Sequence, residues 1–370
     1  MSPLLFSLFI NSLGPELNAS GLGIDLGSIN ISALLFADDL VLIAKSRQSL
    51  DTLMSISLRY FDKHHLKLSE KKSKVMTYNS ETGNTSFNDA GPSPISLEQV
   101  LSFKYLGINL SITPYNLFKD YNLQVRQKSQ NYLASVLSLV KTGPDRSELA
   151  YTLWTCVALP SILYGAEVIP LTQATITEVE KHQALIGKFI LQIPRSSANV
   201  ASNIDAGLKP IWACVAEKVL LYSNTVMGKA VTYWPKIAMG ENLAKGSQNP
   251  YTRYLLKWKV ATDTFNVSPR KIKDAVHQAA VVSVLNQQKT TYLTTFAMNC
   301  PETSTKERWF KPKTWVNDSG SSKILAQFRA CNIGLGNRGP TSDGQQHKLC
   351  PLCAKHGNNS LNNEVRKFSS

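Results

Sequence analysis

Two adjacent carboxylates separate two apolar runs in residues 33–44, and this stretch constrains the fold more than any other. Ala33-Leu34-Leu35-Phe36 leads to Asp38-Asp39, and Leu40-Val41-Leu42-Ile43 leaves them. Short apolar runs on both sides of a tight polar pair predict a strand, a turn and a second strand. Burial of the runs is favourable, whereas burial of two carboxylates is costly unless a cation compensates them. We therefore expect a hairpin whose turn lies at the wall of a cleft.

A divalent cation is one partner for such a turn. Mg²⁺ accepts carboxylate oxygens and leaves room for substrate phosphates, and a pair of such ions supports in-line displacement at phosphorus. The alternative is a solvated turn without any ligand, since Asp-Asp dipeptides are common in turns. The dipeptide by itself leaves both interpretations open.

The first residues predict a helix. Ser2 can cap it with Pro3 in its first turn, and the segment to Leu13 is apolar almost all round. That pattern is typical of a helix buried in a larger body, although an ordinary amphipathic helix is the alternative. Residues 14–30 are Gly-rich and predict a loop followed by the start of a strand.

Three further segments with recognisable patterns follow the carboxylates. Helical spacing runs from Ser46 to about Leu68, with Ser49 or Asp51 as its first residue. A basic run, Lys71-Lys72-Ser73-Lys74, comes next, and a solvated face is the simplest interpretation of it. Residues 100–110 then alternate as a strand does, and Gly107 predicts a bend or a close backbone approach.

These motifs together resemble those of a known family. Phe36-Ala37-Asp38-Asp39 resembles the catalytic box of reverse transcriptases, in the variant common in non-LTR (LINE-type) retrotransposons. Residues 2–11, the basic run and the segment Phe103-Lys104-Tyr105-Leu106-Gly107 resemble neighbouring motifs of the same family. The resemblance covers the C-terminal part of such an enzyme: late palm, thumb and C-terminal region. It implies an RNA-directed DNA polymerase that transfers nucleotides to a primer 3′-OH with two Mg²⁺ ions.

The resemblance also implies roles for individual residues. Asp38 would bind Mg²⁺ with Asp39 in support, and Lys72 would lie near the triphosphate. Ser2 and Pro3 would line the nucleotide pocket. The primer grip would be formed by Phe103, Lys104, Tyr105, Leu106 and Gly107. A primer end must be held ~3–3.5 Å from the atom it attacks, and a backbone hairpin with a glycine can do so. Two positions depart from the family: His65 replaces its usual Gly, and Ser69 its usual Asn.

The family's first catalytic Asp and its fingers would lie upstream of Met1, so the implied Mg²⁺ site is incomplete. We therefore expect that this chain alone is inactive as a polymerase. It would take dNTPs only when a further segment supplies the missing Asp and fingers. A non-enzymatic nucleic-acid-binding remnant or domesticated module is the alternative. A fragment of a longer active polyprotein is the third possibility.

The fold class expected is α+β, in four parts. Residues 1–112 would form a partial palm of antiparallel strands and helices, and residues 113–215 a helical thumb. Residues 216–325 would form a helical basic region, and residues 326–370 a tail. In the thumb we expect a helix with the stripe Tyr121, Val125, Tyr132, Val136 and Leu139, a helix from Ser147 to Ala158 that stops near Pro160, and a helix that Pro194 ends.

Charge favours a polyanionic partner. The formal net charge is +14, and residues 251–370 contain 18 basic and 7 acidic residues, whereas residues 1–60 contain 3 and 5. RNA template, DNA primer or another nucleic acid fits this excess. Aromatic residues such as Tyr251, Tyr254 and Trp258 lie among the basic ones and could stack on bases. Core aromatics beside solvated charges are the alternative.

The six cysteines are scattered except for Cys350 and Cys353. This pair could hold Zn²⁺ with His356, while a chance Cys-x-x-Cys is the alternative. The family's complete zinc knuckle is not present. The pattern and the lack of a secretory signal favour an intracellular protein, in the nucleus or cytoplasm. Residues 149–171 are apolar but contain Pro160 and Glu167, so we expect a buried helix and a turn there, not a membrane span.

Overall fold

A computed structural model describes residues 3–27, 29–77, 97–111, 118–141, 146–197, 199–244, 250–257 and 267–286. The chain divides into two compact units. Unit 1 comprises Met1–Tyr121 and Thr225–Phe265, and unit 2 comprises Asn122–Asn224 and Asn266–Ser370. The four-part division expected from the sequence stays a prediction.

Unit 1 combines helices with small sheets, as expected for an α+β fold. The sheets have two strands each, and the pairs β1–β2, β3–β4 and β7–β8 are antiparallel, whereas β5–β6 is parallel. The strands are β1 Ile24–Leu26, β2 Ile29–Ile31, β3 Ala33–Phe36, β4 Asp39–Leu42, β5 Lys74–Val75, β6 Glu98–Gln99, β7 Ser102–Tyr105 and β8 Ile108–Ser111. The helices are α1 Pro3–Ile10, α2 Leu13–Ala19, α3 Arg47–Lys63, α10 Trp234–Ala244 and α11 Pro250–Lys257.

One hydrophobic core joins the N-terminal helices to the predicted hairpin. Its buried members are Ile10, Leu13, Leu17, Ala33, Leu53, Tyr60 and Phe61. Partly buried side chains from β3 and β4 pack against it, among them Leu35, Leu40 and Leu42. The apolar runs on both sides of the carboxylates therefore fix the hairpin to α2 and α3.

The N-terminal segment differs from expectation in two ways. Residues 13–19 form α2, where the glycines predicted a loop, because Leu13 and Leu17 bury one face of a short helix completely. The helix α1 forms as predicted, but it is not enclosed by unit 1. Its residues Leu5, Leu8 and Phe9 are 54%, 65% and 46% exposed.

Helix α3 begins and ends with specific caps. Ser46, not Ser49 or Asp51, is its N-cap and accepts a hydrogen bond from the Ser49 N–H at 3.2 Å. At the other end, the Leu66 N–H donates to the Phe61 carbonyl at 2.8 Å and the His65 N–H to the Asp62 carbonyl at 3.1 Å. His65 has φ 55°. This is a Schellman motif, whose left-handed position usually holds glycine.

Unit 2 is helical in the residues that the structure describes. Its helices are α4 Lys119–Leu139, α5 Arg146–Thr152, a π-helix Leu153–Ala158, α6 Leu159–Ile162, α7 Gln173–Leu191, α8 Asn199–Asp205, α9 Ile211–Met227 and α12 Pro269–Asn286. The boundaries of the units fall within α4 and α9, so the first residues of α4 and the last residues of α9 belong to unit 1. The expected stripe on α4 fails at Leu139, which is 66% exposed.

Pro160 does not stop the helix, contrary to the sequence-based expectation. The chain continues from α5 through the π-helix into α6, where Pro160 lies in the first turn. A proline within a helix removes one N–H donor and crowds the preceding turn. The preceding residue, Leu159, donates to the Trp154 carbonyl across a π-type turn, and such turns accommodate irregular pairing within helices.

Buried polar side chains connect the helices of unit 2. The Trp154 indole N–H donates to Gln183 Oε1 at 3.2 Å, and Gln183 Nε2 donates to the Lys209 carbonyl at 2.7 Å. Glu180 accepts from Asn203 Nδ2 at 2.7 Å and from the Ile211 N–H, the first of α9, at 2.6 Å. Burial raises the pKa of Glu180 to about 7, although both hydrogen bonds act to lower it.

Two sequence-based expectations can be tested in part. Tyr254 on α11 is 4% exposed and belongs to the core, so it is not available to stack on a base, whereas Arg253 and Lys257 are exposed. Residues 258–266 and 287–370, with most of the expected aromatic and basic residues, lie outside the described residues. Within the described residues, no helix has the length and hydrophobicity needed to cross a bilayer.

Candidate functional site

The carboxylates lie at the turn of a tight hairpin, as the sequence predicted. Strands β3 and β4 pair with Ala33 opposite Leu42 and Phe36 opposite Asp39, so Ala37 and Asp38 form the two-residue loop. Ala37 has φ 52°. Two-residue hairpin loops require a positive φ at the first loop position, where glycine is the usual residue. The sequence thus places a side chain under backbone strain directly before Asp38.

The side-chain amide of Asn18 holds the start of this hairpin. The N–H groups of Ser32 and Ala33 donate to Asn18 Oδ1 at 2.9 and 3.4 Å. The Ser32 carbonyl accepts from the Ile43 N–H at 2.8 Å, which continues the pairing beyond the strands. Sequence reasoning missed Asn18, because no motif indicates that a polar residue near the end of α2 binds a strand.

Helix α2 packs closely against β3. A side chain at Gly14 would place its Cβ 3.2 Å from Leu35 Cδ1. Glycine at this position therefore lets the helix backbone approach the strand that leads to the carboxylates. With Asn18, it fixes the hairpin from one side.

Asp38 and Asp39 are both exposed, and neither forms an ion pair within the described part of the chain. Their oxygens are therefore available to a ligand. Asp39 acts electrostatically on Tyr105, at the end of β7: burial raises the pKa of Tyr105, and the charge of Asp39 raises it further. The two hairpins that the sequence singled out are thus within electrostatic range of each other.

The second hairpin also forms as predicted. Strands β7 and β8 pair with Phe103 opposite Leu110 and Tyr105 opposite Ile108. The loop residues Leu106 and Gly107 have φ 46° and 82°, and positive φ at both loop positions is the pattern of a type I′ turn. The expected bend at Gly107 is confirmed. A role of this hairpin in holding a primer stays a prediction.

Of the other predicted site residues, the structure describes Lys72 and the backbone of Pro3. Lys72 is exposed, and its N–H donates to the Ser69 carbonyl at 3.1 Å. Pro3 begins α1. Ser2, Cys350, Cys353 and His356 lie outside the described residues. No group of three or more His, Cys, Asp or Glu side chains suited to a metal occurs in the part that the structure describes.

A comparison with protein families bears directly on these hairpins. Residues 1–110 match the reverse transcriptase (RNA-dependent DNA polymerase) family. The match includes α1, both carboxylates, Lys72 and the β7–β8 turn. The region from Met1 to Leu110 is thus similar to reverse transcriptase domains, and this family in general acts on nucleic acid with Mg²⁺ and dNTPs. The match ends before α4, so it carries no information on residues 111–370.

Proposed function

We propose that residues 1–110 are part of the palm of a LINE-type RNA-directed DNA polymerase. The observation that carries this proposal is the β3–β4 hairpin, which presents two exposed carboxylates at a tight turn inside the matched residues. The electrostatic effect of Asp39 on Tyr105 adds to it, because the second family-like hairpin then lies within electrostatic range of the carboxylates. The polymerase would extend the 3′-OH of a primer on an RNA template.

The proposed roles come from the resemblance to LINE-type reverse transcriptases. Asp38 binds the metal and Asp39 supports it, Lys72 approaches the triphosphate, and Ser2 with Pro3 borders the nucleotide. The hairpin from Phe103 to Gly107 holds the primer end. Leu106 and Gly107 form its turn, and Gly107 leaves one of the two tip positions without a side chain.

The donor set suits Mg²⁺ but is small. Asp38 and Asp39 offer the hard carboxylate oxygens that Mg²⁺ prefers. When bound, two such ions would stabilise the attacking and the leaving oxygen of an in-line displacement. Water can complete the coordination of each ion, but the two-ion site of the family that this chain resembles also uses a carboxylate from an earlier palm strand. We therefore propose that the 370-residue chain alone is inactive and needs a further Asp-bearing strand.

Primer extension tests this proposal. The purified chain should not extend a DNA primer on an RNA template. Joined to an upstream segment that carries fingers and an Asp-bearing palm strand, it should. Efficient extension by the chain alone would contradict the proposed incompleteness, and no extension by several joined forms that fold would contradict the polymerase assignment.

A non-enzymatic nucleic-acid-binding protein is the second candidate, and the charge distribution favours it. The surplus of 11 basic residues lies in residues 251–370, outside the matched domain. Affinity for RNA or single-stranded DNA should then fall steeply with salt, because phosphate contacts release counterions. Binding that is independent of salt, or none at low salt, would reject this candidate. Zn²⁺ bound by Cys350, Cys353 and His356 is part of the same proposal, and metal analysis of a Cys350→Ser variant tests it.

A further inference from the structure

The end of α3 carries exposed positive charge beside aromatic rings. Between Arg59 and Lys72 the sequence contains five basic and two acidic residues. Arg59, Lys63 and Lys67 are exposed, and none of the three forms an ion pair within the described residues. Asp62 is the single carboxylate between Arg59 and Lys67. This surface therefore offers uncompensated cations to a ligand.

Three rings pack together at this end of α3, and two of them belong to Tyr60 and His64, which follow Arg59 and Lys63 in the sequence. The rings of Phe9 and His64 meet edge to face, with centroids 5.3 Å apart at 85°, and His64 lies 4.3 Å from Tyr60. Phe9 is 46% exposed, whereas Tyr60 is 6% exposed. Phe9 and His64 can thus accept a planar ligand from solvent, and Tyr60 supports them from the core.

The ring group is held firmly. The Tyr60 hydroxyl donates to the Phe9 carbonyl at 3.2 Å and lies 2.8 Å from Ser12 Oγ. The Schellman motif after α3 fixes the backbone of His64 and satisfies the last carbonyls of the helix. A rigid aromatic surface loses little conformational entropy when a ligand stacks on it.

From this arrangement we propose that Phe9, His64, Arg59, Lys63 and Lys67 form a contact site for single-stranded nucleic acid. A base stacks on Phe9 or His64 while the cations contact the flanking phosphates. Aromatic stacking combined with a basic track is the general mode of single-strand binding. The proposal rests on the proposed function only for the choice of nucleic acid as the ligand. It adds a site remote in sequence from both hairpins and from the basic C-terminal region.

Photo-crosslinking of the full chain tests the stacking. We would irradiate the protein with an oligothymidylate that carries one 5-iododeoxyuridine, and locate the adduct by mass spectrometry. The proposal predicts an adduct at Phe9 or His64. In a Phe9→Leu variant, which keeps an apolar side chain on α1, the adduct should decrease to background and the affinity should fall at least about fivefold.

Salt dependence tests the cations. The slope of log affinity against log salt should become shallower by about 1.4 in the Lys63→Gln/Lys67→Gln variant, since each single-strand phosphate contact contributes about 0.7. The control is Lys141→Gln/Lys229→Gln, which removes the same charge at two exposed lysines elsewhere and should leave the slope unchanged. Circular dichroism should show that all variants are folded.

The outcomes separate this site from the proposed function. Adducts that map elsewhere, or equal changes of slope in both lysine variants, would overturn the site while leaving the polymerase assignment intact. An oligonucleotide that does not bind the wild type would overturn the site as well. Primer extension by the joined protein reports on the polymerase independently of either result.

Discussion

At the scale of the residue, His65 has the backbone conformation of a glycine. Its φ is 55°, and it occupies the left-handed position of the Schellman motif that ends α3. A side chain in this region costs roughly 1–2 kcal/mol. Glycine avoids this cost, but the net gain in stability is smaller because glycine also makes the unfolded chain more flexible. The turn therefore forms with histidine in place of glycine, but it is strained.

We predict that His65→Gly raises the free energy of unfolding by about 0.5–1 kcal/mol. Urea titration followed by circular dichroism would measure it. His64→Gly is the matched control and should destabilise, because His64 has φ −104° and its ring contacts Phe9 and Tyr60. Stabilisation by both variants, or by neither, would contradict the assigned roles.

A second residue-scale prediction uses a pair of glycines in unit 1. A Cβ at Gly23 would lie 2.1 Å from the Ile31 carbonyl oxygen, whereas one at Gly240 in α10 meets no atom within 4 Å. Gly23→Ala should therefore cost about 2 kcal/mol or more, since the β2 backbone must move. Gly240→Ala should stabilise by about 0.5–1 kcal/mol through helix propensity. Equal unfolding midpoints for the two variants would refute the close approach at Gly23.

At the scale of the element, Glu180 connects α7, α8 and α9. Its carboxylate accepts from Asn203 and from the first N–H of α9, yet burial raises its pKa to about 7. The folded state therefore holds the proton more tightly than the unfolded chain, whose pKa is near 4.5. The stabilisation is complete at pH values below 4.5 and is lost as pH rises towards 7.

We predict that the free energy of unfolding of the wild type falls by up to about 3 kcal/mol from pH 4.5 to pH 8 on account of this group. Glu180→Gln should remove that part of the pH dependence. The buried Asn203 Oδ1 has no hydrogen-bond partner in the described residues, so after an amide flip it can accept from the amide that the Glu180→Gln substitution introduces. Identical pH profiles for wild type and variant, by urea titration, would contradict the prediction.

Sequence patterns predicted the elements whose residues repeat in a simple way. The apolar runs beside Asp38 predicted the first hairpin, the alternation around Gly107 predicted a strand and a bend in the second, and apolar spacing predicted α3. Helix α2 was not predicted, because its glycine serves close packing on Leu35 and does not mark a loop. The continuation of the helix past Pro160 was not predicted either, since it depends on a π-type turn that no residue pattern indicates.

The candidate site was predictable in part, for a similar reason. The carboxylates stand out because two adjacent charges between apolar runs are unusual. The support from Asn18 and the influence of Asp39 on Tyr105 depend on long-range packing. Polar contacts of this kind join residues far apart in sequence and leave no periodic signal.

At the scale of the whole molecule, the two units differ in how their secondary structure is supported. Unit 1 contains sheets of two strands and exposes Leu5, Leu8 and Phe36, whereas unit 2 buries Trp154 and a polar network between long helices. Two-stranded sheets have only marginal stability unless other elements pack against them. Unpaired strand edges add to this weakness.

We therefore predict that a protease cleaves within residues 1–110 before it cleaves the helices from α4 onwards. Limited proteolysis with mass spectrometry of the fragments would show the order. A fragment that begins near residue 115 should persist. Equal resistance along the chain, or earlier loss of α4 to α9, would contradict this prediction.

The most direct test of the central claim is primer extension by the protein joined to an Asp-bearing upstream segment, with and without Asp38→Ala. If Asp38 is a metal ligand of a polymerase site, the joined wild type extends the primer on an RNA template, and Asp38→Ala abolishes extension. An Asp38→Asn variant, which keeps the size of the side chain but removes its charge, should be equally inactive. Extension that survives both substitutions would show that the β3–β4 turn is not the catalytic site.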